Sequence, residues 1–339
     1  MYTKTNVTSL ADIAKIPEAL VWGAVEEAYN ANTNPFRTAG VVKVDPLLQA
    51  RASGEGVRTE VQSWSATPYV ESNISSDDPT KKGTPLKVAT TKWNAARLHR
   101  NVGFSAMDLV TDLMAQDPLA DIARRVAVYK NADEVEQMFA ILEGLIAADV
   151  ANGSKMTLTT DEQVSLKVIL KGLNKLGDAK NTIKAFGMDS DTHLAIQLQQ
   201  FTGYVSPADT NTEFGTLANR PIIVDDRFKQ SAAGKARIVG LGNDLFHVGT
   251  APASVNSVEV ERDASAGNGR GQSAIWFRWQ GITQPVGYSY EGTFAEVGGP
   301  SFEELAEATA FVRHYDVKKI PLVVIEAELE GPTGTDDAA

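Results

Sequence analysis

Histidine is the residue type in this chain best suited to metal or acid–base chemistry. The four histidines, His99, His193, His247 and His314, are widely spaced, and none stands in an HxxxH or HExxH arrangement. A metal site built from them is one interpretation, but separate surface or core histidines explain them better. The sequence therefore predicts no metal site.

Two aspartate pairs and one glycine cluster are the other candidates for chemistry. Asp225 and Asp226 lie on a predicted strand, where neighbouring side chains point to opposite faces, and Asp77 and Asp78 lie in a predicted loop tip. The glycines of residues 267–271 match neither GxGxxG nor GxxxxGKS and favour a flexible hairpin loop. The chain has no GxSxG or SxxK motif and no cysteine. We expect a protein that is not an enzyme and needs no cofactor.

Composition narrows the class of protein further. Of 339 residues, 43% are hydrophobic and 22% are charged, which is typical of a soluble globular protein. No apolar run approaches the roughly 20 residues of a membrane span, and the first residues lack a secretory signal, so we expect a cytosolic product. The net charge of −11 argues against a surface that grips nucleic acid. Without cysteine, stability must come from packing or from contacts between chains.

The element that organises the chain is a predicted helix over residues 117–152. Asp117 is a suitable N-cap, Pro118 suits the first helical position, and Asn152 with Gly153 supplies a stop. Apolar residues recur between them at helical spacing, namely Ile122, Val126, Tyr129, Val135, Phe139, Leu142, Ile146 and Val150. Such a helix is about 50 Å long, which suits an extended plate that tiles a surface better than a compact domain.

A long hairpin is predicted before this helix. Residues 57–64 and 86–93 each alternate like a strand, and residues 69–85 between them have the composition of a loop tip. Residues 30–56 predict an irregular extended arm, and Ser105 opens a predicted short helix. Because an isolated hairpin is only marginally stable, we expect this one to lie across a neighbour.

The hairpin also holds the candidate contacts between subunits. Trp64 and Trp93 stand at or near its strand ends, where they could pair within the chain or anchor it on another chain. Lys81 and Lys82 stand at its tip, where a solvated charge pair is the simpler interpretation. The candidates are Arg58, Glu60, Trp64, Lys81, Lys82, Trp93, Arg97 and Arg100.

The second half of the chain alternates predicted helices and strands. A helix capped at Thr160 is predicted to end at Gly177, and Ser301 with Glu304 forms a capping box for a helix to about Val312. A helix is also predicted from Ser190. Strands are predicted at residues 183–188, 221–224, 236–241, 245–248, 258–262, 273–279, 284–290 and 320–325.

The order of these parts resembles the tailed-phage major capsid proteins with the Hong Kong 97 fold. Three stretches carry the likeness: TSLADIAKIPEAL, FSAMDLVTDLMAQDPLADIARRVAVYKNADEVEQMFAILEGLIA and SFEELAEATAFVRHYDVKKIPLVVIE. The resemblance implies an α+β fold with an N-terminal arm (1–55) and an extended loop (56–103). It also implies a peripheral domain (104–160 and 285–330) and an axial domain (161–284). The composition of residues 331–339 itself predicts a disordered acidic tail.

The resemblance implies a structural protein of the virion, assembled in the bacterial cytoplasm. Pentamers and hexamers would build an icosahedral shell around double-stranded DNA, without sequence-specific DNA binding. The expected partners are a separate scaffolding protein and a portal, with decoration proteins as an option. Some relatives crosslink a loop lysine to an asparagine, but no acceptor motif here matches. An encapsulin-like compartment shell is the first alternative, and a cytosolic α/β enzyme or ligand-binding protein is the second.

Overall fold

A computed structural model describes residues 18–31, 34–54, 56–64, 69–88, 90–107, 118–198, 204–205, 216–217, 220–228, 234–269 and 271–329. The predicted N-cap at Asp117, the short helix beyond Met107 and the acidic tail lie outside these ranges.

The long helix predicted from the sequence is confirmed. The principal helices are α1 (Glu18–Ala31), α2 (Pro35–Thr38), α3 (Pro46–Ala52), α4 (Pro118–Ala151), α5 (Leu166–Leu173), α6 (Ser190–Leu198) and α7 (Phe302–Leu305). Further helical turns span Asn174–Thr182, Ala266–Gly269 and Val317–Lys319. Helix α4 has 34 residues and begins at the predicted proline. Its predicted stripe is largely buried, except that Tyr129 and Val150 are about half exposed.

The strands are β1 (Val42–Val44), β2 (Arg58–Trp64), β3 (Thr90–Met107), β4 (Thr157–Gln163), β5 (Ile183–Met188), β6 (Tyr204–Val205), β7 (Thr216–Leu217) and β8 (Arg220–Val224). They continue with β9 (Ala236–Gly242), β10 (Phe246–Pro252), β11 (Val258–Asp263), β12 (Gln272–Pro285), β13 (Tyr288–Tyr290), β14 (Phe311–Arg313) and β15 (Leu322–Glu328). Two sheets contain most of them. The first has the order β1-β10-β12-β3-β2, with β11 also on β12, and the second has the order β4-β15-β9-β5-β8-β7-β6.

Helix α4 and residues of both sheets form a large hydrophobic core. Phe139 on α4 packs edge-on against Phe36 and Phe228, with ring centroids 5.1 and 4.8 Å apart. A second core lies between α5 and the second sheet, where Val168 and Ile169 are fully buried. Gly172 permits this packing, because an added Cβ would stand 2.3 Å from Cγ1 of Ile325.

The arm prediction is wrong in its local structure. The sequence predicts an irregular segment over residues 30–56, but the described residues of this range lie mainly in the end of α1 and in α2, β1 and α3. Phe36, Val41 and Leu48 have at most 1% of their surface exposed. The caps explain the helices, since the side chains of Asn34 and Asp45 each accept a backbone hydrogen bond at a helix start followed by proline.

Three predicted boundaries are also corrected. Strand β3 starts at Thr90 and continues through Ser105, where a helix was predicted, because it pairs with β12 from Arg97 to Met107. Thr160 lies in β4, and Ser165 is the N-cap of α5 instead. The capping box at Ser301 is confirmed, but its helix ends at Leu305.

Candidate assembly interface

The most exposed part of the described chain is the segment of residues 69–88, which we call the exposed segment. Every residue in it is exposed, and the exposed fractions of Tyr69 and Ile74 are 93% and 88%. Asn73 joins its two limbs, donating to the carbonyl of Thr84 at 3.3 Å and accepting from the Thr84 N–H at 3.4 Å. Asp78 closes the tip by accepting the N–H of Thr80 at 2.9 Å. The segment is thus ordered locally without being buried.

The β2–β3 ladder carries the exposed segment. Its register runs from Arg58 opposite Ala96 to Trp64 opposite Thr90, so Trp93 faces Val61 and the two tryptophans are not directly paired. Trp93 is half-buried against the cluster that contains Val61. The side chain of Trp64 lies outside the described part of the structure.

Three candidate arginines bind within their own chain. Arg97 is 2% exposed, and its guanidinium donates to the carbonyls of Arg51 and Gly56 and, at 2.9 Å, to Oγ1 of Thr59. Desolvation lowers the pKa of Arg97. Its position on β3 turns this side chain inward, where it fastens the end of α3 to the hairpin. It therefore has little surface to offer a neighbour.

Arg58 and Arg100 each hold the loop that follows β13. Arg58 donates to the carbonyl of Gly292, and its guanidinium carbon lies 5.7 Å from the ring centroid of Tyr290. Arg100 donates to the carbonyl of Pro300 at 3.1 Å and stacks 4.6 Å from the ring of Phe302. Both side chains therefore have partners within their own chain.

The remaining charged candidates lie at the surface. Glu60 pairs with Lys92 at 2.7 Å, and the hydrogen bond from Lys92 holds the pKa of Glu60 below its usual range. Lys81 and Lys82 are exposed, and neither takes part in an ion pair described for this chain.

Helix α2 and the long helix α4 share a partly buried ion pair that the sequence pattern does not reveal. Arg37 follows α1 and donates through Nε and Nη2 to Glu134 on α4, with Nη2 lying 2.9 and 3.1 Å from the two carboxylate oxygens. Nη2 also donates to the hydroxyl of Tyr29 at 2.6 Å. Burial raises the pKa of Glu134, and the same desolvation lowers the pKa of Arg37.

Other acidic residues of helix α4 also bind arginines, in pairs that range from exposed to largely buried. Glu136 receives Arg227 at 3.0 Å, and Glu143 receives Arg237 at 2.8 Å. Asp149, near the helix end, faces Arg313 at 3.8 Å and accepts the N–H groups of Met156 and Thr157 at 3.0 Å each. The acidic residues of one helix thus bind arginines from widely separated parts of the chain.

The residues first considered for chemistry do not converge. Asp225 binds Arg227, whereas Asp226 accepts the N–H of Ser190. His247 pairs with Asp45 at 3.2 Å. Among the residues that the structure describes, no group of three or more His, Asp or Glu side chains is placed to hold a metal ion. No described helix is long and apolar enough to cross a bilayer.

The comparisons with known proteins agree on one class. The model of the Gp13-like family, described as major capsid protein 13-like, matches residues 106–299, which is more than half of the chain. The chain belongs to this major capsid protein family. It is similar to the major capsid protein of Bacillus phage SPP1, with 26% identity over 299 residues, 87% of this chain and 91% of that protein.

The fold is also similar to that of a solved phage capsid. The capsid of Ralstonia phage GP4 matches with a TM-score of 0.56 at 9% identity, over 87% of this chain and 88% of that one. The α+β architecture is therefore that of phage capsid proteins. The molecule is a major capsid protein of a tailed phage, with a structural role in the head shell, and its place is in the virion.

Proposed function

We propose that the capsid protein assembles through its exposed segment, which lies on a neighbouring subunit of an icosahedral shell. The observation that supports this is the full exposure of residues 69–88, which include large apolar side chains. Tyr69, Ile74, Leu86 and Val88 are each more than half exposed. Burying one such side chain against another subunit would stabilise the contact by about 1.5–3 kcal/mol.

The segment suits a contact between copies rather than a contact within one. Its hairpin base is fixed by β2–β3 pairing and by Arg97, so the two limbs project from a rigid support. A protrusion on one subunit and its receiving surface on the next form a heterologous contact, which closes into rings when the rotation allows. Many modest contacts of this kind add up in a closed shell.

We propose a division into regions like that of the Hong Kong 97 fold. Residues 1–55 would be the arm, 56–103 the extended loop, 104–160 and 285–330 the peripheral domain, and 161–284 the axial domain around five- and six-fold centres. Helix α4 would be the spine helix of the peripheral domain. Its length and its arginine contacts support that role, because they tie the arm, the sheets and β14 to one rod.

The partners follow from this role. We propose pentamers and hexamers that enclose double-stranded DNA, assembled in the host cytoplasm with a separate scaffolding protein and a portal, and without catalytic activity. The acidic balance of −11 suits a wall along which packaged DNA can slide. An encapsulin-like compartment predicts protein cargo instead, and the family match favours the phage shell.

Deletion of residues 71–85 tests the proposal. The subunit should keep its far-UV circular dichroism and melting temperature, because these side chains touch little of their own chain. Shells, viewed by negative-stain electron microscopy and counted by light scattering with scaffolding protein present, should disappear. A variant that fails to fold, or that assembles as well as the parent, contradicts the proposal.

A milder pair of variants controls for loss of backbone. Replacing Tyr69 and Ile74 by serine should reduce the shell yield. Val255 is 74% exposed elsewhere on the surface, and Val255→Ser should not reduce it. Nuclease-protected DNA in the particles supports a phage shell, whereas a co-purifying enzyme supports the compartment.

A further inference from the structure

The chain between β13 and β14 forms an acidic surface, which we call the acidic excursion (residues 291–310). It contains five glutamates and no lysine or arginine. They are Glu291, Glu296, Glu303, Glu304 and Glu307. The charges are therefore concentrated in one connection between two short paired strands.

Hydrogen bonds fold the acidic excursion back on itself. The N–H of Glu291 donates to the carbonyl of Ala310 at 2.9 Å, and the N–H of Ala295 donates to Oε1 of Glu304 at 2.7 Å. Glu304 also accepts the N–H of Ser301 at 2.8 Å as part of the capping box. The two ends of the excursion are thus joined, and Glu304 links Ala295 to the start of α7.

Most of this negative charge has no counter-ion in its own chain. No ion pair recorded for the described residues includes a glutamate of the acidic excursion. Arg58 and Arg100 touch its backbone and rings, which leaves more carboxylates than cations. Glu296 and Glu303 are exposed, and Val297, next to Glu296 in the sequence, is 88% exposed.

The exposed segment carries the opposite charge on one limb. Residues 79–88, the basic limb, contain Lys81, Lys82 and Lys87 and no aspartate or glutamate. None of these lysines takes part in an ion pair described for the chain, and Leu86 and Val88 beside them are 54% and 61% exposed. Both surfaces therefore combine exposed charges with exposed apolar side chains. The charges are lysines on the basic limb and glutamates on the acidic excursion.

We propose that the basic limb of one subunit docks on the acidic excursion of a neighbouring copy. This rests on the proposed function, in which the exposed segment contacts another subunit, and it names the receiving surface. Lys81 and Lys82 face Glu303 and Glu307, while Leu86 or Val88 covers Val297. Complementary charges set the register of such a contact and reject wrong placements.

Cysteine pairing tests the contact directly, because the chain has no cysteine of its own. The variants Lys82→Cys and Glu303→Cys are co-expressed and oxidised, and a disulfide forms only where Cα atoms come within about 7 Å. The control pairs Lys82→Cys with Lys184→Cys, an exposed position on β5. At least tenfold more crosslinked dimer than in the control supports the proposal, and an equal yield overturns it.

Charge exchange provides a second test in the full chain. Lys81→Glu with Lys82→Glu, and separately Glu303→Lys with Glu307→Lys, should each raise the subunit concentration needed for assembly by about tenfold or more. All four changes together should restore it to within about threefold of the parent. Glu304 is left unchanged because it caps α7.

The outcomes separate this inference from the proposed function. If deletion of residues 71–85 abolishes shells while the charge exchange has no effect, the segment binds elsewhere and the inference is wrong. If the lysine variant forms normal shells with less DNA, the basic limb contacts packaged DNA, which also overturns it.

Discussion

The ion pair between Arg37 and Glu134 joins α2 to α4, and a substitution in it tests how much this contact stabilises the fold. Glu134→Gln preserves the volume but places an NH₂ group where the guanidinium needs an oxygen. In the parent, Nη2 of Arg37 lies 2.9 and 3.1 Å from the two oxygens, and both accept. The variant leaves one donor of Arg37 facing another donor.

The expected loss follows from burial. Removing one partner of a fully buried pair costs about 3–5 kcal/mol. The side chain of Glu134 is 6% exposed, but that of Arg37 is 27% exposed and can regain some water. We therefore expect the free energy of unfolding to fall by about 2–3 kcal/mol.

Urea unfolding followed by tryptophan fluorescence measures this loss. The double variant Arg37→Met with Glu134→Leu should fall within about 1 kcal/mol of the parent, because it removes both desolvation costs together. Glu60→Gln, in the exposed pair with Lys92, should leave the unfolding curve unchanged. A Glu134→Gln protein as stable as the parent, or a double variant less stable than Glu134→Gln, refutes the reasoning.

Two further predictions concern α7. Gly144→Ala should lower the free energy of unfolding, measured in urea, by about 1–3 kcal/mol, because the added Cβ would stand 2.2 Å from the carbonyl oxygen of Leu305. The control Gly23→Ala adds a Cβ with nothing within 4 Å and should be neutral or slightly stabilising. Hydrogen bonds from backbone N–H groups, first that of Ser301, hold the pKa of Glu304 below its ordinary value of 4.5. The stability that these hydrogen bonds give the folded protein is complete above pH 4.5 and is lost as the pH falls through the lower pKa of the folded state. The melting temperatures of Glu304→Ala and the parent should therefore converge in acid.

The sequence predicted correctly those elements whose limits are set by residues close by in the chain, such as helix caps and apolar spacing. Pro118 and the apolar spacing after it gave α4 almost to the residue, and Ser301 gave a real capping box. The errors arise where distant pairing decides. Ser105 lies in a strand because β3 pairs there with β12. The side chain of Arg97 is buried because it donates hydrogen bonds to the carbonyls of Arg51 and Gly56.

The candidate interface was predictable only in part. The composition of residues 69–85 indicated a loop tip, and its exposure agrees with that. By contrast, the partners of Glu134 and Glu143 are Arg37 and Arg237, each more than 90 positions away. Neither charge pattern nor periodicity in a single sequence identifies such a pair.

The position of β15 has a consequence for synthesis. This strand comes last among those described, yet it lies inside the second sheet, between β4 and β9. Val323 and Ile325 in it are fully buried, so the sheet lacks an interior strand until these residues have left the ribosome. A chain whose translation stops before β15 therefore leaves β4 and β9 without the strand that lies between them. We expect such truncated chains to be degraded and not to assemble into capsids.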